Sequence, residues 1–201
     1  MSMLYPVIKA VPAFFSGLPR AERQPALSRL ARRPLAVSAR KTGVSLPAVL
    51  EKNRLGAPLP AGGLWWSVTH KPDFVAGIVS FGKIGIDIEK IATVSPSLLK
   101  KIADPEEQGL FDSDTQTMLF RCWTAKEAVL KAAGKGLSGL GRCRVANVQS
   151  DTRLIVTYDK TRWLVEQYHF CGHLAAVTSG TDDRVHWTLL DEEDNEIKAK
   201  G

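Results

Sequence analysis

The hydrophobic period of the chain changes at Leu64, and this change limits the available folds more than any other feature. Residues 19–41 have helical spacing, with Pro25 and Pro34 placed to kink or divide the helix and Gly43 placed to end it. Residues 44–52 fit a short second helix, and the glycine- and proline-rich residues 55–63 fit a loop. Over 64–68 and 74–81 the pattern becomes that of strands, joined by a turn at 70–73. A third strand is expected at 84–88, set off by Gly82 and Lys83.

Helix signals then return. Ser95 before Pro96 and Asp104 before Pro105 each place a capping side chain ahead of a first-turn proline. Ser113 with Gln116 fits a capping box for the longest helix, which runs to Ala133 and stops at Gly134. Strands are expected at 144–149, 154–158, 163–170, 174–179 and 185–190, with a charged, frayed tail at 191–201. Helices then strands, twice over, predict an α+β fold.

Composition narrows the class. Hydrophobic residues make up 44% and charged residues 24% of the 201, which fits a soluble globular protein with one sizeable core or two small halves. No apolar run approaches the ~20 residues of a membrane helix. The N-terminal stretch is interrupted by Pro6, Lys9 and Pro12 and has no basic leader, so it reads as a poor signal peptide. Cys122, Cys143 and Cys171 are odd in number and lack C-x-x-C spacing, which argues against a disulfide framework or zinc site and fits a reducing cytoplasm. The net charge is +6, with much of the excess on arginines and lysines between Arg20 and Arg54. Such a stretch suits a phosphate-rich ligand, an acidic protein partner or nucleic acid, and for any one residue a solvated helix face is the plainer reading.

Two motifs carry chemistry. In Gly85-Ile86-Asp87-Ile88-Glu89, strand geometry turns Asp87 and Glu89 to one face and Ile86 and Ile88 to the core. Two ionised carboxylates this close repel unless a positive group sits between them, and a hard divalent cation completed by phosphate and water is a natural occupant. The competing reading is a solvated edge screened by Lys83 and Lys90. In the second motif, Trp123, Glu127 and Lys131 share one helical stripe. Glu127 and Lys131 are also well spaced for an ordinary surface pair, but Trp123 turns the stripe toward protein. A half-buried ion pair stabilises little by itself, so a metal and a phosphate would give both charges a purpose. Lys126 points off the stripe and is expected in solvent. His70 ends the first strand of the hairpin and can reach a phosphate. Gly134 to Gly139 follows a helix C-terminus, the wrong end for a phosphate loop.

GIDIEK followed by WTAKEAVLKAAGKGL, with His70 upstream, resembles the phosphopantetheinyl transferases, and is most similar to the two-half monomeric type that activates peptide and polyketide synthetases. The likeness runs over about 64–137. It implies two similar halves, 1–82 and 83–201, in pseudo-twofold relation with the active site between them. It implies Mg²⁺ held by Asp87, Glu89 and Glu127, with coenzyme A phosphates met by His70, Thr69 and Lys131. The loop that reads Gly-Lys-Pro in the family and lines the adenine is Gly56-Ala57-Pro58 here, one lysine fewer. Arg20 or Arg23 is the candidate for the 3′-phosphate, in an N-terminal half that is short for the class. The implied partner is an apo acyl or peptidyl carrier protein, with Glu127 and Lys131 as the catalytic pair and no role for nucleic acid or membrane. A Mg²⁺-dependent phosphohydrolase and a basic nucleic-acid-binding module are the alternatives.

Overall fold

The computed structural model describes residues 2–54 and 56–197. Leu55, in the expected loop, and 198–201, in the expected tail, lie outside the described residues. The elements in chain order are β1 (Met3–Leu4), β2 (Val7–Ala10), α1 (Arg20–Leu30), α2 (Arg32–Thr42), β3 (Trp65–His70), β4 (Phe74–Ser80) and β5 (Ile86–Lys90). There follow α3 (Pro96–Ile102), α4 (Pro105–Gln108), α5 (Thr115–Ala132), β6 (Cys143–Ser150), β7 (Arg153–Tyr158), β8 (Thr161–Phe170), β9 (His173–Ser179), β10 (Arg184–Val185), β11 (Thr188–Leu190) and β12 (Glu196–Ile197). The fold is α+β, as expected from the period changes. Among the described residues no helix is long and apolar enough to cross a membrane.

Two five-stranded sheets, ordered β12-β11-β2-β4-β3 and β5-β9-β8-β7-β6, form the body of the molecule. Each begins with a strand and a helix and closes that strand against a later one, β2 beside β4 and β5 beside β9. The chain passes from the first sheet to the second between β4 and β5, then returns to the first with β11 and β12. Ile8, Ala76 and Ile78 of the first sheet and Ile86, Ile88 and Val177 of the second belong to one shared core. The helices cover the other faces. Leu35 and Ala39 of α2 pack with Trp66 and Val79, and Leu119 and Val129 of α5 pack with Val156 and Val165. Burying one such aliphatic side chain stabilises by roughly 1.5–3 kcal/mol, so packing holds these helices far more than propensity does.

A glycine lies under each helix crossing. A Cβ on Gly77 would stand 2.6 Å from the Leu35 nitrogen, and one on Gly85 only 1.9 Å from the Ala128 carbonyl oxygen. The bare backbone of Gly85 lets α5 lie directly against the approach to β5. That contact sets the distance between the two motifs.

Several local expectations change. The helical stretch divides at Ala31, not at its prolines: Pro25 is inside the mostly exposed α1, and Pro34 is in the first turn of α2, where its missing N–H breaks no helical bond. Residues 44–52 form no helix. Pro47 interrupts a segment too short to nucleate, and its end pairs with the following loop instead, through Asn53 N–H to the Ala57 carbonyl and Leu59 N–H to the Glu51 carbonyl. The cap of α5 is Asp114, whose Oδ1 accepts from the Gln116 and Thr117 amides, one residue after the expected Ser113. Residues 191–197 of the tail are structured and not frayed, because they enclose a charge. Lys9 of β2 is 1% exposed, and its Nζ donates to the Asp191 and Glu192 carbonyls and pairs with Asp194 at 2.6 Å.

Candidate active site

The site forms where the end of β3, the middle of β5 and the last turns of α5 converge. Ile86 and Ile88 enter the shared core, so period two turns Asp87 and Glu89 the other way. Asp87 is 3% exposed. Its Oδ1 accepts from Lys131 Nζ on α5 at 2.7 Å and from Thr69 Oγ1 on β3 at 3.0 Å. Lys131 Nζ also donates to the Ile86 carbonyl at 3.0 Å, which fixes the ammonium to the strand. Side-chain acceptors carry the same junction further: the Ile86 amide donates to Ser67 Oγ, and the Gly85 amide to Thr178 Oγ1.

Glu89 accepts from Lys71 Nζ at 2.6 Å. Burial, and then the charge of Asp87, pushes both Glu89 and Glu127 above the ordinary glutamate value. Burial by itself would lower Lys71, but Asp87, Glu89 and Glu127 together outweigh it and hold that lysine above its ordinary value. These mutual effects place Asp87, Glu89, Glu127, Lys71 and Lys131 in one electrostatic cluster. His70 lies at its positive side: burial, then Lys131, Lys52 and Lys71, hold its pKa below the ordinary histidine value and favour the neutral ring.

Beside the cluster opens a cavity of about 240 Å³, lined by Gly56, Ala57 and Lys52 on one wall and by Glu127, Lys131 and Lys135 on the other. A larger cavity of about 590 Å³ lies elsewhere, between Met3, Lys83 and Trp163, away from the carboxylates. The smaller one carries the reactive groups. Lys52 is lowered by burial and by the nearby charges of Arg32 and Lys131, so two further cations stand close to it.

The donor set fits a hard divalent ion. Asp87 Oδ2 is buried without a hydrogen-bond partner among the described residues. Leaving a buried carboxylate oxygen unpaired is costly, and a cation is the group that would satisfy it. Among the described residues no three ligating side chains stand close enough to enclose an ion as they are arranged, and Lys71 and Lys131 occupy an oxygen of Glu89 and of Asp87.

The fold brings together Asp87, Glu89, Glu127, Lys131, Thr69 and His70, with Gly56 and Ala57 on the adjoining cavity. Arg23 is engaged elsewhere: its Nη2 donates to the carbonyls of Ser16 at 2.5 Å and Leu18 at 2.8 Å. The lysines that screen the acids are Lys71 and Lys131, not Lys83 and Lys90. Lys83 lies over the Trp65 ring and Lys90 pairs with Asp73. Lys126, expected in solvent, is 2% exposed and pairs with Glu107 at 2.6 Å, because α4 folds back over that side of α5. Glu107 also accepts the Asp104 and Val145 amides, so the pair ties α4, α5 and β6 together behind the site. Lys71, Lys52 and Lys135 are the site residues that motif spacing missed. For Lys71 the available signal was its place directly after His70.

Comparison with known proteins bears on this strand–helix junction. A family model described as the 4′-phosphopantetheinyl transferase superfamily matches residues 83–188, more than half of the chain and including β5 and α5. The chain is 34% identical over 99 residues to the 4′-phosphopantetheinyl transferase HetI of Nostoc sp., and 28% identical over 93 residues to the 4′-phosphopantetheinyl transferase gsp of Aneurinibacillus migulanus. It is 31% identical over 77 residues to the 4′-phosphopantetheinyl transferase psf-1 of Bacillus pumilus. These matches cover 46%, 44% and 36% of this chain and 42%, 39% and 33% of the relatives' lengths. The paired carboxylates on β5 and the Glu127–Lys131 stripe on α5 fall inside the matched region, and the chain belongs to the 4′-phosphopantetheinyl transferase superfamily.

Proposed function

We propose that this protein transfers the 4′-phosphopantetheine arm of coenzyme A to a serine of an apo acyl or peptidyl carrier protein, releasing 3′,5′-ADP. The observation that carries the reading is Asp87: buried, fixed through one oxygen by Lys131 and Thr69, and left with its other oxygen unpaired, among Glu89 and Glu127.

Mg²⁺ held by Asp87, Glu89 and Glu127 would supply positive charge to the pyrophosphate of coenzyme A. The chain's own residues supply the rest. Lys131, His70 and Thr69 bind and orient the phosphates. Lys131 Nζ stabilises negative charge that develops on the leaving phosphate and donates a proton to it. The carrier serine attacks the phosphorus bearing pantetheine, and a Glu127 carboxylate oxygen takes its proton. Burial and the charge of Asp87 raise the basicity of Glu127 for that task. Gly56 and Ala57 line the cavity for the adenine, where the absent loop lysine leaves contacts to backbone. Lys52, with Arg32 beside it, is a better holder of the 3′-phosphate than Arg23, whose guanidinium is taken by carbonyls. We take the two sheets with their helices as related halves, the chain crossing from the first to the second near residue 82 and returning to the first at β11, working as a monomer in the cytoplasm.

The test is incubation with coenzyme A, Mg²⁺ and an apo-carrier, followed by intact-mass measurement. A carrier heavier by one phosphopantetheine supports transfer. An unmodified carrier together with free phosphopantetheine would instead mark a phosphohydrolase.

A further inference from the structure

Lys71 stands at the start of the turn between β3 and β4, where its amide donates to the Phe74 carbonyl. Two of the other charges nearby, Asp73 and Lys131, have partners of their own. Asp73 pairs with Lys90 and faces His173, and Lys131 is anchored twice, on Asp87 and on the Ile86 carbonyl. Among the described residues Lys71 has one acceptor, Glu89, at 2.6 Å, and its side chain is 31% exposed against 26% for Lys131. Of the two ammonium groups it is the one on a turn, with a single tether and a path to water.

Charge balance gives this placement a consequence. Three carboxylates with two ammonium groups leave the cluster near neutrality. A divalent ion entering with both lysines in place would make it positive and would meet Lys71 on one of its own ligands. We infer that Lys71 is a resident counter-ion of the site, occupying Glu89 at rest, and that a divalent cation binds by displacing it toward solvent. Lys71 therefore sets the affinity of the site for metal. This rests on the reading of Asp87, Glu89 and Glu127 as the ligand set.

The experiment is Mn²⁺ titration of the protein alone, without coenzyme A or carrier, followed by electron paramagnetic resonance of the free ion. Lys71→Met keeps the apolar stem and removes the charge, and it should bind Mn²⁺ at least about fivefold more tightly, as removal of a cation within a few ångströms of the ion requires. Lys71→Arg, which keeps the charge, should stay near wild type. Lys90→Met, an equal change in net charge on an exposed lysine turned to Asp73, should move the affinity by less than about twofold. Lys71→Gln repeats the test with a polar side chain, and thermal unfolding of each variant verifies that it is folded. Unchanged or weaker Mn²⁺ binding in both Lys71→Met and Lys71→Gln overturns the inference and leaves the carrier-loading activity to stand on its own assay. No Mn²⁺ uptake by any variant overturns it together with the ligand set.

Discussion

Lys131 on α5 and Asp87 on β5 are joined at 2.7 Å across the crossing of the helix and the strand. The bond does two things. It neutralises a carboxylate that is 3% exposed, and in the proposed function it holds the ammonium for the phosphates of coenzyme A. Lys131→Met should therefore lower the carrier-loading rate by about 100-fold or more while the protein stays folded, since charge held for the transition state is lost. Steady-state loading with circular dichroism as the folding control measures this.

Gly85 makes that bond possible. An added Cβ would stand 1.9 Å from the Ala128 carbonyl oxygen and 2.7 Å from the Ala132 nitrogen, both backbone atoms that cannot rotate away. Gly85→Ala should push α5 off β5 and destabilise the fold by about 3 kcal/mol or more, at or beyond the upper end of ordinary overpacking. Urea unfolding gives the number. Gly82→Ala, with nothing within 4 Å of the new carbon, is the control and should change little.

The buried Lys126–Glu107 pair should behave as a unit. Removing one partner strands a charge, so Lys126→Met alone should cost about 3–5 kcal/mol. Adding Glu107→Gln should recover part of that loss, because glutamine can still meet the amides of Asp104 or Val145. A double-mutant cycle in urea detects the coupling, and strictly additive losses would show that the two side chains act independently.

How far each feature is legible in the sequence depends on how local its cause is. Asp87 and Glu89 follow from period two, and Trp123, Glu127 and Lys131 from helical spacing, so the strand–helix pair can be read directly. Lys126 cannot, because its burial depends on α4 folding back from some twenty positions earlier in the chain. Lys71 reaches Glu89 only after the hairpin has placed its turn against β5. Strand β2 is hidden because Lys9 breaks a run of four residues, and its burial becomes possible only when the tail returns to wrap the ammonium.

That tail gives a prediction in pH. Hydrogen bonds from Lys9, together with Arg33, outweigh partial burial and hold the Asp194 carboxyl below its ordinary value. Its contribution to stability is thus complete above the unfolded aspartate pKa of about 3.9 and is lost as pH falls through the lower folded value. Asp194→Asn should cost about 1 kcal/mol at neutral pH, a modest figure because the carboxylate is 34% exposed and screened. The gap to wild type should close as the pH drops below about 4. Thermal melts of both proteins across that range check the sign.

The claim that Asp87, Glu89, Glu127 and Lys131 form one metal-dependent transfer site is tested most directly by intact-mass assay of an apo-carrier with coenzyme A, run on chelated protein and again after Mg²⁺ is restored. The account predicts an unmodified carrier after chelation, full modification of its serine when Mg²⁺ returns, and no rescue for Asp87→Ala or Glu127→Ala at the same metal concentration. Loading by the chelated enzyme, or loading by either alanine variant near the wild-type rate, would contradict it.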